Sequence, residues 1–287
     1  MMASAFAPGK LILSGEHAVV YGHRALAAAV SLGTTVTLYS QPGPTTIRKA
    51  NFQDDRLFPA LLTVLPAEGV GVEIESTLPI GCGMGSSAAL AVATVRARAK
   101  MNGTEADFSR CYEDAFRMER LFHGTPSGID HSISALGGLV AYRRRPEGPQ
   151  IDRITLPRPL FLVVVDSGRP LQSTAELVAG VRQRAPTRTL EAIGALTEQV
   201  IAAMQQNVDA GPLLNENHRL LQELGVSTPG LDQVVEQLRD AGASGAKLAG
   251  AGGGGVAFGL YPDLSAQRQA VAVLQRSGRP AWAVTVG

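Results

Sequence analysis

Pro79-Ile80-Gly81-Cys82-Gly83-Met84-Gly85-Ser86-Ser87-Ala88-Ala89 is the stretch from which the architecture can be read. Before it, Val70, Val72 and Ile74 alternate with Gly71, Glu73 and Glu75, the period-2 pattern of a strand with one buried face. After it, Ser86 to Lys100 is rich in Ala and Leu, lacks Gly and Pro, and stops at Asn102-Gly103, which reads as a helix with its end. A glycine loop entering a helix leaves backbone N–H groups at the positive end of the helix dipole, an arrangement that suits phosphate. Glycine lets the phosphate approach the backbone where a Cβ would hold it off. Ser86 and Ser87 add hydroxyls able to bond phosphate or ligate Mg²⁺. Glycine-rich strand-to-helix turns with a capping Ser also occur where nothing binds, so the loop alone does not assign a function. No Lys precedes the serines, so this is not a Walker A loop, and the spacing is not that of a dinucleotide fingerprint.

The rest of the composition narrows the class. The 287 residues fit one large domain or two modest ones, and 45% hydrophobic with 18% charged residues supplies a packed core. A formal net charge of +1 argues against nucleic acid and against an anionic membrane surface as partners. Cys82 and Cys111 are the two cysteines; they have no metal-ligand spacing, and reduced thiols in a cytoplasmic protein are expected. The N-terminus has no basic start or long apolar run, so no signal peptide is expected, and no stretch is long and apolar enough to span a bilayer.

Along the chain, Lys10 to Leu13 reads as a strand, followed by a loop with Glu16 and His17. Ala25 to Val30 is a short apolar segment and Leu32 to Tyr39 a strand. Residues 41–59 are polar and proline-bearing, a surface excursion. Ala106 to Phe122 is a helix, and Gly124 to Gly128 a turn. Ile133 to Tyr142 contains Gly137-Gly138 and then a strand. Residues 143–159, with Arg143 to Arg145 and four prolines, read as a solvated linker and place a domain boundary near 155. Leu160 to Val165 is a buried strand; Arg188 to Gln206, Leu213 to Leu224 and Leu231 to Ala241 are helices. A second glycine run, Gly250 to Gly255, leads into the strand Val256 to Tyr261, and a helix (Leu264 to Arg276) and a strand (Ala281 to Val286) close the chain. Strands and helices mix in both halves, so the class is α+β in two domains, 1–155 and 156–287.

Few residues stand out chemically. The 106–122 helix has an apolar stripe at Phe108, Cys111, Tyr112, Ala115 and Phe116, and Glu119 falls within about 20° of Phe108 and Tyr112 on it. A carboxylate on a buried face needs a cation or donors to meet it, and Mg²⁺ with bound phosphates fits; the alternative is a frayed helix end reaching solvent. Asp130 follows a Pro/Gly turn and reads equally as a helix N-cap. Lys10 reads as an edge charge and His17 as a surface residue, although a Lys, Glu, His and Asp set suits a hydroxy acid. There is no zinc-like cluster and no nucleophile elbow.

Taken together, the segments carry more. The run Ala7-Pro8-Gly9-Lys10-Leu11-Ile12-Leu13-Ser14-Gly15-Glu16-His17-Ala18-Val19-Val20-Tyr21-Gly22 resembles the first motif of the GHMP small-molecule kinases. Pro79 to Ala89 resembles their phosphate loop, and Lys247 to Gly255 their third, glycine-rich motif. Glu119 to Asp130, Ser173 to Arg182, and Asn217-His218 leading to Ser227 are similar to segments of the mevalonate kinases within that superfamily. The resemblance spans residues 7 to about 260. Departures are small: Met84 stands where Leu is usual, Ala249 where Thr is common, Val256 where Cys is frequent and His131 where Asn is common. The chain is also short for the family, with a reduced 41–69 excursion.

The resemblance implies an N-terminal domain like domain 2 of ribosomal protein S5 and a ferredoxin-like C-terminal domain, with the active site between them. It implies transfer of the γ-phosphoryl of ATP to the 5-hydroxyl of (R)-mevalonate, giving 5-phosphomevalonate for isoprenoid biosynthesis. The cofactors expected are ATP and Mg²⁺. Gly83, Met84, Gly85, Ser86, Ser87 and Ala88 would cradle the phosphates, and Ser87 and Glu119 would hold the metal. Asp130 would orient the attacking hydroxyl and take its proton, with Lys10 stabilising transferring charge; both would also contact substrate. Glu16 and His17 are expected to contact mevalonate, and Ser173 or Thr174 to support Lys10 and Asp130. A homodimer is kept as an expectation. Sister substrates (phosphomevalonate, homoserine, a sugar) are the alternative, and behind them a non-catalytic ligand sensor. A sensor should have lost Lys10 or Asp130, and both are present.

Overall fold

A computed structural model describes residues 1–79, 81–124, 128–170, 172–184 and 187–287. The chain divides into two compact units: Met1–Lys10, Ala29–Ile80 and Met84–Gly137 form the first, and Leu11–Ala28, Gly81–Gly83 and Gly138–Gly287 the second. Two long strands, β1 (Met2–Ser14) and β2 (Arg24–Pro44), contribute residues to both.

In the first unit β2 pairs antiparallel with β4 (Glu68–Ser76) from Thr34↔Ser76 to Pro44↔Glu68, and β3 (Thr46–Ala50) runs parallel to β4 on its other side. The alternation of β4 turns out as expected, with Val70, Val72 and Ile74 buried. Helices α1 (Leu57–Leu62), α2 (Ser86–Met101), α3 (Phe108–His123) and α4 (Ile129–Leu136) complete the unit. Helix α2 is buried nearly all round, which its many alanines permit: Ala88, Ala89, Ala91, Ala93, Ala97 and Ala99 are all at or near zero exposure. Leu38, Leu61, Val72, Ile74, Leu90, Val95, Ala115 and Met118 join in one core. Asp107 caps α3 by accepting from Arg110 N at 2.9 Å, so this helix starts two residues later than the apolar stripe suggests, and Phe108 at its first turn is 38% exposed.

In the second unit a four-stranded antiparallel sheet has the order β10-β7-β9-β8, from β7 (Leu160–Asp166), β8 (Gly245–Leu248), β9 (Val256–Tyr261) and β10 (Ala281–Val286). Helices α5 (Thr174–Arg184), α6 (Thr187–Gln205), α7 (Gly211–Glu223), α8 (Pro229–Asp240) and α9 (Leu264–Arg276) accompany it. Val163, Val165, Ile193, Leu221, Val234, Leu248 and Ala257 form its core, which also takes in Ala18 from the chain's start. Arg24 to Ala28 of β2 pair with β5 (Leu139–Arg143), and β5 with β6 (Gln150–Ile154).

Three readings need correction. The 41–59 excursion contains β3 and the start of α1, and 143–159, read as a linker, contains β6. Both strands are too exposed to show an apolar period: β6 buries only Ile154 fully, and β3 buries none of its residues. Ala25 to Val30 and Leu32 to Tyr39 belong to one strand, β2, rather than two segments. The middle of the expected turn, residues 125–127, lies outside the described residues.

Candidate active site

In the first unit the end of the glycine loop, Met84 and Gly85, enters α2 as the sequence suggests. Gly85 is the N-cap, in the left-handed region at φ 71°, with no side chain capping the helix, and the first intrahelical bond runs from Ala89 N to Gly85 O at 2.9 Å. The amides of Ser86, Ser87 and Ala88 therefore stand at the open end of the helix, with the dipole behind them. A Cβ on Gly85 would lie 2.9 Å from Lys10 Cγ, so glycine here also makes room for the lysine. Lys10 is anchored through its backbone, its N donating to Met84 O at 2.8 Å, and its side chain is buried rather than an edge charge.

Lys10 Nζ lies 3.4 Å from Asp130 Oδ1. Asp130 is not the cap of α4, since Gly128 holds that position; it sits in the first turn. Gly128 is at φ 87°, and a Cβ there would meet Tyr112 Oη at 2.8 Å, so the tyrosine packs where only glycine fits. Glu119 is 1% exposed, which rules out the frayed-end reading. Burial pushes its carboxyl up to about 7; Asp130 adds to the rise, while a hydrogen bond from Ser87 and the charge of Lys10 oppose it. With its single hydroxyl proton directed to Glu119, Ser87 Oγ accepts from His123 Nε2 at 3.0 Å. Glu119 Oε1 is buried with no hydrogen-bond partner among the described residues. A buried carboxylate oxygen left open beside a serine hydroxyl is a donor set that fits a hard divalent cation. His123, four residues from Glu119 on the same helix face, is a site neighbour that sequence reasoning passed over; the i, i+4 spacing was the available signal.

In the second unit, Glu16 accepts a hydrogen bond from Lys247 Nζ, with both side chains buried. His17 is buried too, and its Nε2 lies 2.8 Å from Ala251 O. Burial pushes the His17 pKa down, with Arg184 contributing in the same direction and the Ala251 bond opposing. Lys247 carries a signal beyond its motif: it is a lone lysine between Ala246 and Leu248 in a buried strand. The side chain of His218 supports the same strand, accepting from Leu248 N at 3.4 Å. Cys82 sits with Asp166, and burial pushes its thiol up to about 11, so it is a packing group rather than a nucleophile. Ser173 is occupied as the cap of α5, bonding Glu176 Oε2 through both N (2.7 Å) and Oγ (2.8 Å).

Two family models match the chain, the GHMP kinases N terminal domain over residues 51–138 and the GHMP kinases C terminal over 196–279. The mevalonate kinase of Thermococcus gammatolerans is 34% identical, covering 98% of this chain and 95% of its own length. The chain belongs to the GHMP kinases. The mevalonate kinase of Pyrococcus abyssi, 35% identical over 96% of this chain and 92% of its own, repeats the likeness. Among solved structures, L. major mevalonate kinase in complex with R-mevalonate superposes with a TM-score of 0.88 at 30% identity, covering 99% of this chain and 95% of the other. The α+β, two-domain GHMP kinase fold expected from the motifs is the fold observed.

Proposed function

We propose that this GHMP kinase transfers the γ-phosphoryl group of ATP to the 5-hydroxyl of (R)-mevalonate. The observation that carries the reading is the Lys10–Asp130 pair at 3.4 Å, with Ser87 and buried Glu119 in the same unit. Full-length likeness to mevalonate kinases, one of them a complex with R-mevalonate, supports the choice of substrate.

Phosphoryl transfer asks mainly for positioning and charge neutralisation. Amides from Gly83 to Ala88 hold the ATP phosphates. Ser87 and Glu119 would hold Mg²⁺, which when bound would supply neutralisation of charge on the phosphate oxygens. Asp130 Oδ accepts the hydrogen bond of the 5-hydroxyl, fixes its lone pair towards the phosphorus and receives its proton. Lys10 fixes the orientation of that carboxylate and places a positive charge next to the transferring group. Glu16 and His17 contact mevalonate.

The same reading makes the product 5-phosphomevalonate, an intermediate of isoprenoid biosynthesis, and the setting the cytoplasm, in keeping with Cys82 and Cys111, neither of which is in a disulfide. Among the described residues no helix is long and apolar enough to cross a membrane. Domain limits at 1–155 and 156–287 and a homodimer belong to the proposal. The test is ADP release with ATP and Mg²⁺ against mevalonate, phosphomevalonate, homoserine and galactose. Turnover confined to mevalonate is expected. Turnover on another member instead would overturn the substrate and keep the chemistry.

A further inference from the structure

The last turn of α3 is held from several sides. Gly124 ends the helix at φ 66°, its N donating to Arg120 O at 2.9 Å. Arg56 Nη1 donates to Phe122 O at 3.0 Å, with its guanidinium 5.3 Å from the centre of the Phe122 ring. Two of the carbonyls that a helix leaves open at its end are thus taken. His123 is the final residue of this turn, and Glu119 lies one turn before it on the same face. Both side chains meet one atom at the start of α2, Ser87 Oγ: Glu119 accepts from it, and His123 Nε2 lies 3.0 Å from it.

A serine hydroxyl has one proton and two lone pairs. An ionised carboxylate only accepts, so Glu119 takes the proton. His123 then presents Nε2–H and occupies one lone pair, which leaves a single lone pair for a cation. A serine bonded to nothing turns among three staggered positions about Cα–Cβ. Bonded at its proton and at one lone pair, Ser87 Oγ keeps one orientation. Beside it Glu119 Oε1 is buried with no hydrogen-bond partner among the described residues.

We propose that His123 is a positioning residue of the metal site: its Nε2–H fixes the Ser87 hydroxyl so that the remaining lone pair serves the divalent cation. The inference rests on the kinase reading, in which Ser87 and Glu119 would hold Mg²⁺, and His123 acts on the metal only through Ser87. Groups that orient a metal ligand in this way typically contribute about 10–100-fold to metal affinity. The histidine is exposed, so it can be replaced without opening the core.

The test is calorimetry with ADP, in EDTA and across a Mg²⁺ series, on the wild-type protein, His123→Leu and His123→Gln. Leucine removes the donor and keeps bulk; glutamine restores an N–H at a similar reach. The Mg²⁺ concentration giving half of its effect on ADP affinity should rise about tenfold in His123→Leu and return in His123→Gln. The Kd in EDTA and the thermal midpoint should stay unchanged in both, whereas a merely structural role would move them and would not be rescued. Nitrogen-15 spectra of the wild-type protein need no variant: the neutral ring of His123 should be the Nε2–H tautomer, with Nε2 shifting when Mg²⁺ is added to the ADP complex. An Nδ1–H tautomer, or a Mg²⁺ series unchanged in His123→Leu while Glu119→Gln weakens it, overturns the proposal. A Mg²⁺ series unchanged in Glu119→Gln as well overturns the underlying metal reading instead.

Discussion

Glu119 holds its proton up to about pH 7, against 4.5 for an ordinary glutamate. Its folded form binds the proton more tightly than the unfolded chain does, so it costs stability progressively as pH rises from 4.5 to 7. His131 acts with the opposite sign. It is buried against Tyr112 and Phe116, with ring centroids 4.7 and 5.6 Å away, and burial pushes its pKa down to about 4. The unfolded chain therefore takes up that proton first, and about 3 kcal/mol is lost as pH falls from 6.5 to 4. His218, which burial also pushes down to about 4, adds to the acid-side loss, so Glu119 offsets only part of it in the wild-type protein. Urea unfolding between pH 4 and 7 should show Glu119→Gln becoming steeply acid-sensitive and His131→Asn gaining stability on the acid side. Divalent cations require the ionised carboxylate, so Mg²⁺-dependent nucleotide affinity should fall as pH drops below 7, and should fall less steeply in Glu119→Gln, where only the nucleotide phosphates still titrate. An unchanged Mg²⁺ titration in that variant would remove Glu119 from the metal site. Asp130→Ala should lower kcat by about 10³-fold or more with an unaltered thermal midpoint, read by ADP release. At this scale legibility was uneven. Glu119 announced itself by falling on an apolar stripe, whereas the burial of Lys10 and His17 depends on distant chain that no local pattern encodes.

Elements were legible where burial is one-sided or the run is uniformly apolar. Strand β4 carries a clear period, helix α2 is an Ala- and Leu-rich run unbroken by Gly or Pro, and the loop between them was placed by its glycines. Strands β3 and β6 were missed because they expose most of their side chains and leave no alternation to read. The junction of loop and α2 is where element geometry meets chemistry. Gly85→Ala should cost about 1–2 kcal/mol for the left-handed backbone alone. Its methyl group, 2.9 Å from Lys10 Cγ, should also displace the lysine and cut kcat far more than nucleotide affinity. Equal losses in both, measured by turnover and by calorimetry with ATP, would reduce Gly85 to a cradle residue.

For the whole molecule, the two compact units do not follow the chain order. Ala18 packs in the core of the second unit, and Ser14 Oγ lies 2.8 Å from Thr197 Oγ1 in a buried contact. A fragment of residues 156–287 lacks both, together with the β2–β5 pairing. It should melt without a cooperative transition and be cut rapidly by protease, whereas mixing it with 1–155 should recover a single sharp melt. A cooperative melt by the fragment alone would show that residues 11–28 contribute little to its core. The mixture of α and β was readable in both halves, but the return of the chain's first residues to the second unit was not, since such pairing is a long-range property.

The hold of residues 247 and 251 on Glu16 and His17 also bears on how this scaffold can be redesigned. Segments 14–18 and 245–255 lie more than two hundred positions apart, yet they share a buried charge pair and a histidine–carbonyl hydrogen bond. A chimera that imports only the first segment from a sister kinase would bring an acid without its lysine, or a ring without its carbonyl. On the reading in which Glu16 and His17 contact the substrate, substrate preference is a two-piece graft, and recombination libraries should keep both pieces from the same parent.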